Sequence, residues 1–175
     1  MVTKLSRGLG IAVFLAVGLA IGGGATAQES TNRVAADTDW SVFVEDNPKE
    51  CWSVSKPKET VNTRNGKVVK VKRSDILLFV TFRPGNPGEV SFTGGYPFKK
   101  ESTVALTIGD ETFQLFTKGE WAWARPEEDA KIIAAMKKGV DAVAVAMSQR
   151  GTRTEDKFSL LGFTAAVEDA AARCK

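Results

Sequence analysis

Chemistry that needs an imidazole is closed to this chain, because no histidine occurs among its 175 residues. Ser-His-Asp triads, His-ligated zinc and a histidine general base all need that ring. Ser53 and Lys56 match the Ser-x-x-Lys spacing of a dyad, which works where a helix puts both on one face. They sit at the end of an alternating segment, and in a strand an odd spacing sends them to opposite faces, so the match is read as chance. The acidic cluster Glu127, Glu128 and Asp129 suits the positive end of a helix. Asp156 lies in a segment that otherwise reads as sheet, as a turn or cross-strand hydrogen-bonding group. Two acids distant in sequence can still meet in space and hydrolyse a bond. No glycine loop that would cradle a phosphate is seen, and no cofactor or metal is expected.

The remaining functional side chains are ones that bind. Lys67, Lys70, Lys72 and Arg73 interleave with Val69 and Val71. This reads as a solvated strand face whose lysines discourage edge pairing, the alternative being a basic strip for anionic lipid or polysaccharide. Trp121 and Trp123 share one face of a short strand. Facing inward they are core, which is the expectation; facing outward they make an aromatic platform suited to sugar or peptide. Tyr96 lies in the turn Gly94-Gly95-Tyr96-Pro97-Phe98 and is expected to be exposed near them. With Arg150 and Arg153, these residues define the expected binding surface.

Several segments must place these groups. Residues 1–27 have the order of an export signal: Lys4 and Arg7, an apolar run from Leu9 to Ile21, then Ala25-Thr26-Ala27 for a peptidase. The run breaks at Gly22-Gly23-Gly24, short of the ~20 residues that span a bilayer, so no integral membrane segment is expected after cleavage. The 148 residues that follow suit one domain, with 28–38 as a flexible leader and 39–175 as the folded part. Without Lys4 and Arg7 the chain carries 22 cations against 21 acids, too even a balance for a dedicated nucleic-acid binder. Cys51 and Cys174, an even pair in an exported chain, are expected to form one disulfide, with two free thiols as the alternative.

From Trp40 onward the pattern is that of short strands. Trp40–Val44, Cys51–Ser55, Lys67–Val71, Ile76–Phe82, Glu89–Phe92, Thr103–Ile108, Thr112–Thr117, Trp121–Trp123, Val140–Met147 and Thr154–Leu160 alternate or run apolar between turn signals. Pro126, the three acids after it and Lys137-Lys138-Gly139 bound one helix, with Ile132, Ile133 and Met136 as its buried stripe. In a second helix Phe163, Ala166, Val167, Ala170 and Cys174 share one apolar face, which places Cys174 toward a sheet carrying Cys51. Many strands with two short helices indicate a mainly β fold, a β-sandwich or related barrel.

Cys51-Trp52, Gly94-Gly95-Tyr96-Pro97-Phe98, the Trp121 and Trp123 segment with its Lys-Lys-Gly-ended helix and, above all, the block from Ser148 to Ala166 form a recognisable set. On these stretches the chain, from Trp40 to Cys174, resembles the invasion-associated locus B family of alphaproteobacterial envelope proteins. It implies an immunoglobulin-like β-sandwich, a periplasmic or outer-membrane-associated location and, in pathogenic relatives, a part in host-cell entry. It implies no catalytic residues. Phe43 and Val44 occupy a region where members of the family carry further cysteines, so a second disulfide is absent. The function expected is that of an exported, non-enzymatic binding or interaction protein whose ligand is an envelope component or another protein. A carboxylate-dependent hydrolase and a purely structural envelope protein are the alternatives.

Overall fold

A computed structural model describes residues 32–175; the expected export signal, residues 1–27, lies outside them. Twelve strands, all joined antiparallel, form one sheet: β1 (Arg33–Asp37), β2 (Trp40–Asp46), β3 (Lys49–Ser55), β4 (Glu59–Arg64), β5 (Lys67–Val68), β6 (Leu77–Phe82), β7 (Glu89–Thr93), β8 (Thr103–Ile108), β9 (Glu111–Lys118), β10 (Trp121–Trp123), β11 (Asp141–Met147) and β12 (Arg153–Ser159). Helices α1 (Pro126–Lys138) and α2 (Phe163–Arg173) complete the fold. The spatial order is β1-β2-β3-β6-β7-β10-β9-β8-β11-β12-β4-β5. The sheet bends over itself, so that Phe92 of β7 meets Phe158 of β12 edge-on, ring centroids 6.1 Å apart. The two layers of the sandwich are therefore two stretches of one continuous sheet.

Alternation decides what fills the interior. Leu78 and Val80 from β6, Val90 and Phe92 from β7, Val104 and Leu106 from β8, and Ala142 and Ala144 from β11 are all fully buried, each two residues from its partner as a pleated strand requires. α1 packs on the core through Ile132 and Met136, whereas Ile133, expected in the same buried stripe, is only half-buried. Its Asp129 carboxylate accepts the Val90 N–H at 2.8 Å, fixing the first turn of the helix to β7. Burial pushes the Asp129 carboxyl above its usual range, and the neighbouring Glu89, Glu127 and Glu128 add to this while the Val90 N–H opposes it.

α2 packs on β1, β2, β3 and β6 through Phe163, Ala166, Val167 and Ala170. Trp40 meets Phe163 edge-on at 4.8 Å and donates its indole N–H to the Ser159 carbonyl at 3.0 Å. Cys174, at the end of the same face, is bonded to Cys51, with Cα atoms 5.7 Å apart and 123 positions separating them in sequence. The C-terminal helix is thus tethered to the sheet as its period predicts.

Two edges differ from the expectation. Arg33–Asp37, expected in a flexible leader, is an edge strand that pairs with β2. Lys67–Val71, expected as one strand, is a strand only over Lys67–Val68, with one further bond from the Val69 N–H to the Asn62 carbonyl at 2.9 Å. The remainder leaves the sheet as a crossover to β6 and carries Arg73 inward.

Candidate functional site

The outer face of β2, β3, β6, β7, β10 and β9 carries two groups of rings, placed by register. Phe43 stands opposite Trp52, Val54 opposite Phe79, Phe79 opposite Ser91, Ser91 opposite Trp123, and Trp123 opposite Phe116. Directly opposed side chains lie within reach of one another. Phe43 and Trp52 stack at 5.5 Å, Phe116 and Trp123 at 5.8 Å, and Trp121 and Trp123 at 6.2 Å. Phe79 and Trp121 are two strands apart but lean together to 5.5 Å. Their rings close over β7, which is why Ser91 and Thr93, on the outward positions of that strand, are buried.

Trp121 and Trp123 are therefore not core residues, contrary to the first expectation. Trp121 is 40% exposed and Phe116 47%. The inward residue of β10 is Ala122, placed between Phe92 and Thr117. The bulk of Phe92 fills the space in front of it, so a small side chain is what fits there, and the two large rings turn out. Alternation in Trp-Ala-Trp gives the shared face; the choice of face rests on Phe92, thirty residues earlier in the chain.

A shallow groove of about 310 Å³ runs between Phe79, Trp121, Trp123 and Trp52. Its rim is charged. Arg83 bridges Glu50 and, at 3.5 Å, Glu89. A second depression, about 680 Å³, continues the face past Phe43, Val54 and Leu77 to Lys56, Lys58, Asp39 and Asp75. Lys58 pairs with Asp39 and, together with a bond from Ser159, holds its carboxyl below the usual range.

Tyr96 and Arg150 lie elsewhere, in a pocket with Arg64, Lys72 and Arg73. Gly94 and Gly95 make the turn that brings Tyr96 there. Gly95 has φ +71°, and a Cβ on it would stand 2.6 Å from the Ser74 carbonyl oxygen, so the close crossing of chains needs glycine. The Tyr96 hydroxyl shares a short hydrogen bond with Thr154, and the ring lies 4.9 Å beneath the Arg73 guanidinium. Burial pushes the phenol up, while the Thr154 bond and the Arg73 charge pull the other way. Tyr96 is thus half-buried and not beside the tryptophans. Arg153 stands outside both surfaces, paired at 2.9 Å with Glu155.

Arg73, expected on a solvated basic face, is instead the partner of Asp156. Its side chain is 6% exposed and that of Asp156 0%. The guanidinium donates to both carboxylate oxygens at 2.7 and 2.6 Å, to the Gly94 carbonyl at 2.8 Å and to Asn62 Oδ1 at 3.3 Å. Burial pushes the Asp156 carboxyl up, and the bonds and charge of Arg73 oppose it. Arginine does not deprotonate in a protein, so its charge is always present to favour the ionised carboxylate. Sequence reasoning missed this pair, though a signal was present. Asp156 shares the inward positions of β12 with Thr154 and Phe158, and a charge there demands a cation. Ser53 and Lys56, as expected, do not meet: Ser53 is fully buried and Lys56 reaches Asp75 at 3.4 Å.

A sequence profile of the family described as "Invasion associated locus B (IalB) protein" matches residues 40–171. Among solved structures, that of invasion associated protein b from Bartonella henselae is similar in fold, with a TM-score of 0.51, 15% sequence identity, and 78% of this chain and 94% of that chain covered. No curated protein matches the chain.

Proposed function

The chain belongs to the invasion associated locus B family, and from that premise we propose that it is an extracytoplasmic, non-enzymatic interaction domain of the cell envelope that docks a partner protein on its aromatic face. The observation that carries this reading is the run of Phe79, Trp121, Trp123 and Phe116 on the outside of the sheet. A contiguous apolar surface of this kind is costly to leave in water. Aromatic residues at the centre with charges of both signs around them, here Arg83, Glu50 and Glu89, have the anatomy of a protein interface. An export context agrees with the Cys51–Cys174 bond, since such bonds persist in oxidising compartments, and among the described residues no helix is long and apolar enough to cross a membrane. Periplasmic residence, or secretion, is the location proposed, with the part in host entry left to those relatives whose name records it. Hydrolysis by paired carboxylates has less support: the buried acids Asp129 and Asp156 are occupied by the Val90 N–H and by Arg73.

The test is the size of the native species. In gently released envelope extract, the wild-type protein should elute from gel filtration well above its monomer mass, and the Trp121→Ala, Phe116→Ala double variant at monomer mass. Both side chains are partly exposed but stack on Phe79 and Trp123, so the variant should lose about 1–3 kcal/mol and remain folded, which its melting curve checks. Wild-type protein that elutes as a monomer, or a variant that keeps the larger size, would count against the reading.

A further inference from the structure

We propose that the pocket formed by Arg64, Lys72 and Arg150 binds a phosphate monoester carried on a sugar or on a lipid headgroup. The pocket, about 430 Å³, shares no lining residue with the aromatic face, so this inference stands or falls apart from the preceding one.

The pocket is built by two loops zipped together. The Gln149 N–H donates to the Pro97 carbonyl and the Lys99 N–H to the Met147 carbonyl, each at 2.9 Å. The turn that carries Arg150 is closed on itself. The Ser148 N–H reaches the Thr152 carbonyl at 2.8 Å, the Gly151 N–H reaches the Ser148 carbonyl at 2.9 Å, and the Thr152 N–H reaches Ser148 Oγ at 3.0 Å. Arg150 is thereby held at a fixed point of the rim. Arg64 is fixed from the opposite strand, its Nε and Nη2 both donating to Thr152 Oγ1 at 3.2 and 2.7 Å. That leaves three of the five guanidinium N–H groups for a ligand.

Charge selects the ligand class. Among the described residues, none of Arg64, Lys72 and Arg150 is paired with a carboxylate. Arg73 also lines the pocket, but Asp156 neutralises it. Glu120 is the one carboxylate in the lining, which leaves an excess of two positive charges. A phosphate monoester carries roughly −1.5 to −2 at neutral pH and offers three acceptor oxygens, a match in charge and in number of acceptors. The planar fork of arginine suits it as well. A single carboxylate would leave one cation without a partner. Glu120 would accept the O–H groups of a sugar carrier; a lipid such as phosphatidic acid offers none and would be held through its phosphate alone.

The experiment uses the whole mature protein and three probes: glucose 1-phosphate, acetate, and phosphatidylcholine vesicles with and without phosphatidic acid. Calorimetric titration should show saturable binding of glucose 1-phosphate or of the phosphatidic acid vesicles, with acetate at least tenfold weaker. Binding of the sugar phosphate in solution assigns a soluble source; binding of the vesicles alone assigns a lipid headgroup. Lys72→Ala and Arg150→Ala should each weaken binding about tenfold, the loss of one charge-assisted contact, and Arg150→Glu should abolish it. Lys131→Ala, on the exposed side of α1, should bind as the wild type does. Melting temperatures without ligand show that each variant is folded. The proposal is overturned if no probe binds, if acetate binds as tightly as glucose 1-phosphate, or if the pocket variants bind like Lys131→Ala.

Discussion

Reducing the bond between Cys51 and Cys174 should lower the melting temperature by on the order of 10 °C. The bond closes a loop of 123 positions, and in the chain-entropy account a loop of that size is worth about 4–5 kcal/mol through the states it removes from the unfolded chain. Its loss also frees the end of α2, whose Ala166, Val167 and Ala170 have no polar group to hold them to β2 and β3. Cys174→Ser should melt like the reduced protein, and the double Cys51→Ser, Cys174→Ser variant hardly lower, because either change alone removes the same bond. Scanning calorimetry with and without reductant measures this. Equal melting temperatures in the two conditions would show that the tether contributes nothing.

The second large effect is expected at Arg73 and Asp156. Asp156→Ala should cost about 3–5 kcal/mol, because it leaves a guanidinium that is 6% exposed without a counter-charge. Arginine cannot shed its proton, so the stability of this variant should gain no pH dependence from the site. Arg73→Ala should behave differently. It leaves a carboxylate with no exposure, and a carboxylate can take up a proton. Burial already pushes Asp156 up, and without the guanidinium its folded pKa rises further above the unfolded value. Between those two values the folded state binds the extra proton, so the stability of this variant should fall as pH rises through the window and recover as pH is lowered. Denaturant titrations of both variants at several pH values distinguish the cases. A pH-independent cost for Arg73→Ala, equal to that of Asp156→Ala, would mean that the carboxylate finds another partner.

This pair also shows where the sequence stops being legible. Strands such as Leu77–Phe82 and Asp141–Met147 are plain from apolar runs between turn signals, and both helices and the reach of Cys174 toward Cys51 are plain from helical periodicity and caps. Glu59–Arg64 has only Val61 as an apolar residue and sits next to the sheet's end, where one neighbour, β12, supplies most of its pairing; nothing in its own composition requires a strand. Arg73 looks like its neighbours Lys70 and Lys72, and only the inward register of Asp156, 83 positions away, gives it a different role. The site divides in the same manner. That Trp121 and Trp123 share a face is local information. That they face outward depends on Phe92 filling the space before Ala122, and that Tyr96 and Arg150 meet depends on backbone bonds between two loops about fifty residues apart.

The measurement that bears most directly on a docking role for the aromatic face is photocrosslinking in living cells. A photoreactive residue in place of Phe116, within the ring cluster, is compared with one in place of Val140, which is 77% exposed beyond α1 and far from the rings in register. At Phe116 the account predicts one discrete adduct with a partner protein, lost when Trp121→Ala is added, and no such adduct at Val140. Adducts that are the same at both positions, or absent at Phe116, would contradict it.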